Sequence, residues 1–307
     1  MKFINLKTKI EVCSISEPTV LCLGNFDGVH LGHRQLVNAV LQEYSSLKNS
    51  HPTLKSGAWF FDSTFYKNTD EIYSLNEKLE TFASLGLEYA IIADFNEMKS
   101  LSPTDFVVEV LQNQCKCIHA VCGENFRFGS KAAGDSVLLC KLMKNSATVV
   151  PLLTKDNTII SSTYIRSLLL NGDIEKSNAL LSANYSITEK VVYGKQLGRT
   201  LGLPTINQNI ESKNLILKNG IYATICTIDN KKFYGVTNIG TRPTVETNKD
   251  KNIETHIIDF NGDCYGKTVK IEFISRIRDE MKFNSLEELK AQIQKDVTTT
   301  ISFFKNN

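Results

Sequence analysis

The sequence predicts an α/β region built on a doubly wound parallel sheet, followed by an antiparallel β-barrel that a helix closes. Two observations support this prediction. Short apolar runs alternate with helical patterns in the first half of the 307 residues, whereas β-type runs follow one another in the second half with only turns between them. A chain of this length accommodates about two domains. We expect one domain over residues 1–183, which includes a linker, and a second over 184–307.

The first half has the pattern of repeated βαβ units. Strands that alternate with helices form a parallel sheet whose ligands bind at the carboxyl ends of the strands. One predicted helix has a clear beginning, with Ser102 as the N-cap and Pro103 at the first helical position. The predicted strands are Val20–Leu23, Ala58–Phe61, Tyr89–Ala93, Ile118–Cys122 and Thr148–Leu152, and the predicted helices lie around 33–44, 75–85, 103–112 and 136–144.

The second half contains β-type runs that are too close together for helices between them, which is typical of a barrel or sandwich. A final helix is predicted from a capping box of Ser285 and Glu288 and from apolar residues at every fourth position between Leu289 and Ile301. The predicted strands are Ser186–Tyr193, Ile221–Ile228, Lys232–Ile239, Ile253–Phe260 and Thr268–Ile274.

The composition indicates a globular protein that acts on small molecules. Apolar residues make up 42% and charged residues 22% of the chain, which argues against wholesale disorder. A formal charge of +2 does not favour nucleic acid or a membrane as the main partner. No apolar run has the length of a membrane span, and the N-terminus lacks a signal-peptide core. We therefore expect a cytoplasmic protein with small-molecule substrates, and the sequence leaves open whether it is a homo-oligomer.

The eight cysteines do not form a metal-binding pattern. They are scattered without any Cys-x-x-Cys pair. Cys115 and Cys117 precede His119 closely, but no second pair of ligands follows at the spacing of a structural zinc site. We expect reduced thiols and no zinc site.

A glycine-rich segment between the first predicted strand and helix indicates a phosphate site. Residues 24–34 read Gly-Asn-Phe-Asp-Gly-Val-His-Leu-Gly-His-Arg. The glycines let the backbone approach a ligand, and the following helix offers unpaired N–H groups to an anion. His30 and His33 lie on one side of the first helical turn. Such a pair can also be a metal site or a structural pair, but its position at a helix N-terminus favours phosphoryl or nucleotidyl transfer.

Two later segments of the first half carry further polar groups. Residues 123–129 read Gly-Glu-Asn-Phe-Arg-Phe-Gly after a predicted strand, and residues 160–166 read Ile-Ser-Ser-Thr-Tyr-Ile-Arg at a helix start. Arg166 lies one turn beyond Ser162 and can bind phosphate bidentately. An ordinary polar loop and simple helix capping are the alternatives for these two segments.

A second glycine-rich segment follows the first strand of the second half, although no P-loop is present. Residues 194–207 read Gly-Lys-Gln-Leu-Gly-Arg-Thr-Leu-Gly-Leu-Pro-Thr-Ile-Asn. Thr205 and Asn207 lie on one side of an extended chain and offer two oxygen ligands to Mg²⁺. On the residues alone, a glycine-rich turn between strands is the simpler explanation.

Together these motifs resemble the bacterial riboflavin kinase/FAD synthetase family, in the family's order and over nearly the whole chain. The resemblance implies that His30 and His33 contact the ATP phosphates and stabilise the transition state, and that Phe128 borders the flavin. It also implies nucleotide contacts for the following residues, of which Asn125 also binds Mg²⁺: Gly24, Asn25, Phe26, Asp27, Gly28, Asn125, Arg127, Ser161, Ser162, Thr163 and Arg166.

The second half resembles riboflavin kinase. Residues 194–207 are similar to the signature Gly-Arg-x-Leu-Gly-x-Pro-Thr-x-Asn. The resemblance implies that Thr205 and Asn207 bind Mg²⁺ and ATP and that Glu254 is the catalytic base. His256 shares a strand face with Glu254, and we expect a structural role for it. Further nucleotide contacts are implied for Gly194, Gly198, Arg199 and Gly202, and a flavin contact for Arg278.

Two places depart from the family pattern. Residues 60–66 read Phe-Phe-Asp-Ser-Thr-Phe-Tyr, without the proline and histidine that are usual there, and Ala132 and Ala133 replace a stretch that often holds a basic residue. Both departures concern the flavin end of the adenylylation site.

The sequence thus predicts a bifunctional enzyme of flavin cofactor synthesis. It would phosphorylate riboflavin with ATP to FMN and adenylylate FMN with ATP to FAD and pyrophosphate, with Mg²⁺ at both steps. Three alternatives stay open. Only one activity could be efficient, mainly the kinase; the chain could be a flavin-binding regulatory protein; or the first domain could serve another phosphate-bearing acceptor.

Overall fold

The computed structural model describes residues 1–6, 15–61, 70–194, 198, 202–210, 214–241 and 251–306. Contacts between Cα atoms divide the chain into two compact units. The first unit comprises Met1–Thr69 with Tyr73–Ser162, and the second comprises Asp70–Ile72 with Thr163–Asn307. On these contacts, residues 163–183 group with the second unit; the functional boundary between residues 183 and 184 stays a prediction.

The first unit is built on a parallel sheet of six strands, which confirms the predicted α/β class. The order across the sheet is β1-β4-β3-β2-β5-β6. The chain therefore reverses its direction of travel between β2 and β5, which is where open α/β sheets bind ligands. The strands are β1 (Lys2–Leu6), β2 (Thr19–Leu23), β3 (Lys55–Phe61), β4 (Tyr89–Ala93), β5 (Cys117–Gly123) and β6 (Ala147–Val150).

The central strands β2 and β4 are buried at every residue, as expected for a parallel sheet that helices cover on both faces. The sequence analysis missed β1, which pairs in parallel with β4 at the edge of the sheet. A five-residue strand with lysine and asparagine in it has too short an apolar pattern to be recognised without its partner.

The helices of the first unit begin close to the predicted positions. Ser102 caps its helix by accepting a hydrogen bond from the Asp105 N–H at 3.1 Å, as predicted. The helix that follows changes to π-type geometry, which the sequence pattern did not reveal. The helices are α1 (Leu31–Leu47), α2 (Leu75–Ser84), α3 (Phe95–Met98), α4 (Pro103–Asp105, continued by the π-helical Phe106–Gln114) and α5 (Ser136–Leu142).

The second unit is a closed antiparallel barrel, which confirms the second predicted fold class. Its six strands follow the order β7-β8-β11-β10-β9-β12. Three threonine hydroxyls on neighbouring strands form a buried hydrogen-bonded row, with O–O distances of 2.8 and 2.9 Å from Thr224 to Thr237 to Thr255. The strands are β7 (Ser186–Val192), β8 (Thr205–Asn209), β9 (Gly220–Ile228), β10 (Lys231–Thr241), β11 (Lys251–Ile257) and β12 (Thr268–Arg278).

Three helices accompany the barrel: α6 (Ser162–Asn171), α7 (Ile174–Asn178) and α8 (Leu286–Asn306). At the start of α8, Ser285 Oγ accepts from the Glu288 N–H at 3.2 Å, as predicted. The Glu288 carboxylate accepts from the backbone N–H of Asn284 at 2.9 Å. The reciprocal half of the predicted capping box is thus formed one residue earlier in the chain.

Candidate active sites

The turn between β2 and α1 is fixed by an aromatic side chain that points into the core. Phe26 is fully buried, and its ring packs edge-on against Phe82 at 5.2 Å and against His33 at 5.1 Å. Gly28 has a φ of +78°, which favours glycine. A Cβ on Gly32 would lie 3.1 Å from His30 Nδ1, so glycine also lets the imidazole lie flat on the helix start. The nucleotide contact predicted for the Phe26 residue stays a prediction.

His30 and His33 form a parallel stack at the N-terminus of α1. Their ring centroids are 3.6 Å apart with 16° between the planes. The backbone N–H of His33 donates to His30 Nδ1 at 3.3 Å, so His30 is the N-cap of α1. Because Nδ1 accepts this bond, the proton of neutral His30 lies on Nε2. His33 is partly exposed, but its Nδ1 is buried and has no hydrogen-bond partner among the described residues.

Desolvation keeps both imidazoles neutral at pH 7. Burial lowers the pKa of His30 to about 4, and the negative charge of Asp27 offsets this only in part. Desolvation also holds the pKa of His33 well below its ordinary value, and positive charge on His30 or Lys78 would lower it further. The pair therefore presents N–H donors to an anion rather than two positive charges.

The start of α6 is bonded to the same turn. Ser162 Oγ donates to the carbonyl oxygen of Asp27 at 2.8 Å, so this hydroxyl joins two of the predicted nucleotide-binding segments. Thr163 and Arg166 group with the second unit, where the Arg166 guanidinium donates to the Asp70 carbonyl. The phosphate contacts predicted for Ser161, Ser162, Thr163 and Arg166 stay predictions.

The loop after β5 lies at the same edge of the sheet as the histidine pair, because β5 is paired with β2. Asn125 is exposed, and its Oδ1 would be 3.2 Å from a Cβ on Gly123. Arg127 is also exposed and lies 3.5 Å from the Asp135 carboxylate. The structure thus leaves both polar side chains accessible at the switch point of the sheet.

The aromatic residues of this loop have a structural role. Phe126 stacks on Phe128 at 5.6 Å, and Phe128 is only 6% exposed and packs against Phe106 at 5.4 Å. The flavin contact implied for Phe128 stays a prediction. Of the variant turn at 60–66, Phe60 and Phe61 end β3 and residues 62–66 lie outside the described residues.

The second site lies on one face of neighbouring barrel strands. Asn207 on β8 is directly opposite Glu254 on β11, and Thr205 is opposite His256. Thr205 Oγ1 donates to Glu254 Oε1 at 2.6 Å, and Asn207 Oδ1 accepts from Asn252 Nδ2 at 3.1 Å. Three of the predicted kinase residues are therefore brought together by strand register alone.

The ends of the glycine-rich segment lie on these side chains. A Cβ on Gly194 would be 2.4 Å from Asn207 Nδ2, and a Cβ on Gly198 would be 3.2 Å from Thr205 Oγ1. Only glycine permits such an approach without displacing the site side chains. Gly202 adopts a φ of +77°. The predicted cation Arg199 lies outside the described residues.

His256 and Arg278 are both engaged with protein groups. His256 Nδ1 lies 2.9 Å from the carbonyl oxygen of Pro204 and donates to it, as expected for a structural residue. The Arg278 guanidinium binds the buried carboxylate of Asp296 through Nε at 3.0 Å and Nη2 at 2.6 Å, which attaches α8 to the barrel. The flavin contact implied for Arg278 stays a prediction.

Two side chains that the sequence reading did not select lie at these sites. Asn238 on β10 is directly opposite Glu254, and its buried Oδ1 has no hydrogen-bond partner among the described residues. The residue lies in a segment that matches the family, but only the strand register shows that it flanks Glu254. Lys78 on α2 is 2% exposed and acts electrostatically on His33. No sequence pattern connects Lys78 with the histidine pair.

The chain matches known proteins along almost all of its length. Residues 13–164 match the sequence model of FAD synthetase, and residues 181–304 match that of riboflavin kinase. The bifunctional riboflavin kinase/FMN adenylyltransferase of Bacillus subtilis (strain 168) is 35% identical over 94% of this chain and 93% of its own length. The protein of the same name from Escherichia coli (strain K12) is 33% identical over 94% and 93%. This chain belongs to the bifunctional riboflavin kinase/FMN adenylyltransferase family.

The family predicted from the motifs is thereby confirmed. A crystal structure described as a macrolide-efflux protein from Streptococcus pneumoniae has the same fold, with a TM-score of 0.87, 26% identity and coverage of 97% of this chain and 98% of that chain. Within the part of the chain that the structure describes, no helix has the length and apolar character to cross a membrane.

Proposed function

We propose that this chain phosphorylates riboflavin with ATP to give FMN and then transfers AMP from a second ATP to FMN, giving FAD and pyrophosphate. The observation that carries the proposal is the presence of two separate sets of transfer residues in one chain. The histidine pair lies in the region that matches FAD synthetase, and Glu254 lies in the region that matches riboflavin kinase.

In the kinase step, the terminal hydroxyl oxygen of riboflavin attacks the γ-phosphorus of ATP, and ADP leaves with the electron pair of the broken P–O bond. Glu254 accepts the hydroxyl proton. Thr205 orients this carboxylate through its 2.6 Å hydrogen bond. The glycine segment at 194–202 covers the phosphates, and Arg199 is the proposed cation.

The oxygen atoms beside Glu254 fit a Mg²⁺ site. Thr205 Oγ1 and Asn207 Oδ1 are hard oxygen donors on one face of β8, and a hydroxyl can donate to Glu254 while its lone pairs bind a cation. Mg²⁺ bound there would neutralise phosphate charge. We propose a second Mg²⁺ contact at Asn125 in the first unit.

In the adenylylation step, a phosphate oxygen of FMN attacks the α-phosphorus of ATP, and pyrophosphate leaves with the electron pair of the broken bond. The nucleophile is already an anion, so this step needs charge stabilisation rather than a base. The neutral histidine pair supplies N–H donors at the helix N-terminus. Asn125 and Arg127 are accessible for the nucleotide, and we propose that Ser162, Thr163 and Arg166 hold its phosphates.

A second candidate is a riboflavin kinase that adenylylates FMN weakly. The observation that favours it is the turn at 60–66, which lacks the proline and histidine that are usual in the family. A purely regulatory flavin-binding protein is less well supported, because it would have no use for a base that Thr205 orients. We further propose a cytoplasmic enzyme whose partners are small molecules rather than nucleic acid or membranes.

Separation of the flavins after incubation with riboflavin, ATP and Mg²⁺ tests these functions. We expect riboflavin to be converted first to FMN and then to FAD. Accumulation of FMN without FAD would support the kinase candidate. Unchanged riboflavin, together with unchanged FMN when FMN is supplied instead, would contradict both.

A further inference from the structure

Helix α2 places a charged side chain in the interior of the first unit. Lys78 is 2% exposed, and Phe82, one turn further along the helix, is fully buried. Residues four positions apart lie on the same helix face, so the ammonium stem and the phenyl ring point into the same part of the core. Burial of an ammonium group costs several kcal/mol, so a lysine here calls for an explanation.

The same face of α2 packs behind the histidine pair. The Phe82 ring meets the Phe26 ring edge-on at 5.2 Å with 86° between the planes, and the Phe26 ring meets His33 at 5.1 Å. Lys78 is therefore on the helix face that supports the phosphate turn from the protein side. Its positive charge reaches His33, because it lowers the pKa of that imidazole.

The adenylylation site has a deficit of positive charge that a buried lysine would correct. The triphosphate of ATP and the phosphate of FMN are anions, yet desolvation keeps His30 and His33 uncharged. Their N–H groups and the helix N-terminus offer only partial charges. A full positive charge in a medium of low polarity has a stronger and longer-ranged effect than the same charge in water.

We propose that Lys78 is an electrostatic positioning residue of the adenylylation site, which acts through His33 and adds positive potential where the phosphates bind. The inference rests on the proposed function of the histidine pair. Lys78 does not touch substrate: it is covered by the core, whereas the partly exposed His33 ring faces the ligand. The charged or titratable groups that act on the pair are His30 and Asp27 from the turn and Lys78 from α2.

Substitution of Lys78 tests the proposal in the full chain. Lys78→Met removes the charge at similar volume, Lys78→Arg keeps it, and Lys99→Met removes an exposed charge from the same unit as a control. We expect Lys78→Met to lower kcat for adenylylation of supplied FMN about tenfold, the low end for partners that act through a catalytic group. Lys78→Arg should recover part of the loss, and Lys99→Met should lose nothing.

Two further readouts separate this role from a structural one. NMR of the imidazoles should show His33 titrating at a higher pH in Lys78→Met than in the wild type, because the positive charge is gone. The riboflavin kinase rate of the same variant should be unchanged, and the fluorescence of Trp59, the only tryptophan, reports whether the first unit stays folded.

The proposal is overturned if folded Lys78→Met keeps the wild-type kcat, or if kcat falls while the His33 titration stays in place. It is also overturned if Lys78→Arg is as impaired as Lys78→Met while the first unit of both is folded. If the wild type makes no FAD, the proposed function fails, whereas the His33 titration still decides whether Lys78 acts on His33.

Discussion

The two sites of this chain use ATP through opposite arrangements of charge and burial. The histidine pair is held by stacking and by a backbone hydrogen bond in a desolvated turn, and it is neutral. Glu254 is a partly exposed carboxylate on a barrel strand, held by the hydroxyl of Thr205. The difference follows the two acceptors. A hydroxyl must lose a proton and needs a base, whereas a phosphate is already a nucleophile and needs donors.

Removal of the base should have the largest effect and should be confined to one activity. We expect Glu254→Gln to lower the riboflavin kinase kcat by roughly 10²–10⁴-fold, the range for loss of a general base. Adenylylation of supplied FMN should be unchanged. Separate assays with riboflavin and with FMN measure this, and loss of both activities in a folded variant would mean that the sites are not independent.

Loss of one imidazole should give the reverse pattern. We expect His33→Asn to lower FMN adenylylation by roughly 10²–10³-fold, the range for removal of one preorganised donor, and to leave the kinase rate intact. The same two assays apply. A variant that adenylylates FMN at the wild-type rate would remove His33 from the transfer step.

A smaller effect is expected where the glycine segment meets the kinase site. Gly194→Ala would place a Cβ 2.4 Å from Asn207 Nδ2 and push that side chain out of position. We expect kinase kcat/KM for ATP to fall by about 10- to 100-fold, since small displacements of positioning groups have such costs. Wild-type kcat/KM would show that Asn207 does not need its observed place, and the adenylylation rate is the internal control.

The smallest effect concerns stability and distinguishes the buried histidines from the exposed carboxylate. The pKa of His30 is about 4 in the folded chain and 6.5 in its ordinary state, so the unfolded chain binds more protons between these values. The stability of the first unit should therefore fall as the pH drops from 6.5 to about 4. Urea titrations followed by Trp59 fluorescence should show a weaker pH dependence in His30→Asn, and an equal dependence would contradict the assignment.

Local pattern was enough to predict the elements that carry the phosphate turn, but not what surrounds it. Residues 24–34 lie between a strand and a helix as predicted, because glycines and an apolar run specify this locally. The strand at 205–209 was read only as an extended chain, since its polar residues lack an alternating apolar pattern and the barrel supplies the pairing.

The contacts made by distant residues could not be predicted. Asp296 binds Arg278 only because α8 returns to the barrel, and Lys78 acts on His33 only because α2 packs against Phe26. Such partners are set by tertiary packing, which no short motif encodes. The register that places Asn238 beside Glu254 is of the same kind.

The central claim is that one chain performs two successive transfers from two ATP molecules at separate sites. Riboflavin incubated with ATP labelled at either the α- or the γ-phosphorus tests this directly. We predict that the γ-label enters FMN and is retained in FAD, that the α-label enters FAD alone, and that His33→Asn abolishes only the α-label. Absence of the γ-label from FAD, or loss of both labels in folded His33→Asn, would contradict the account.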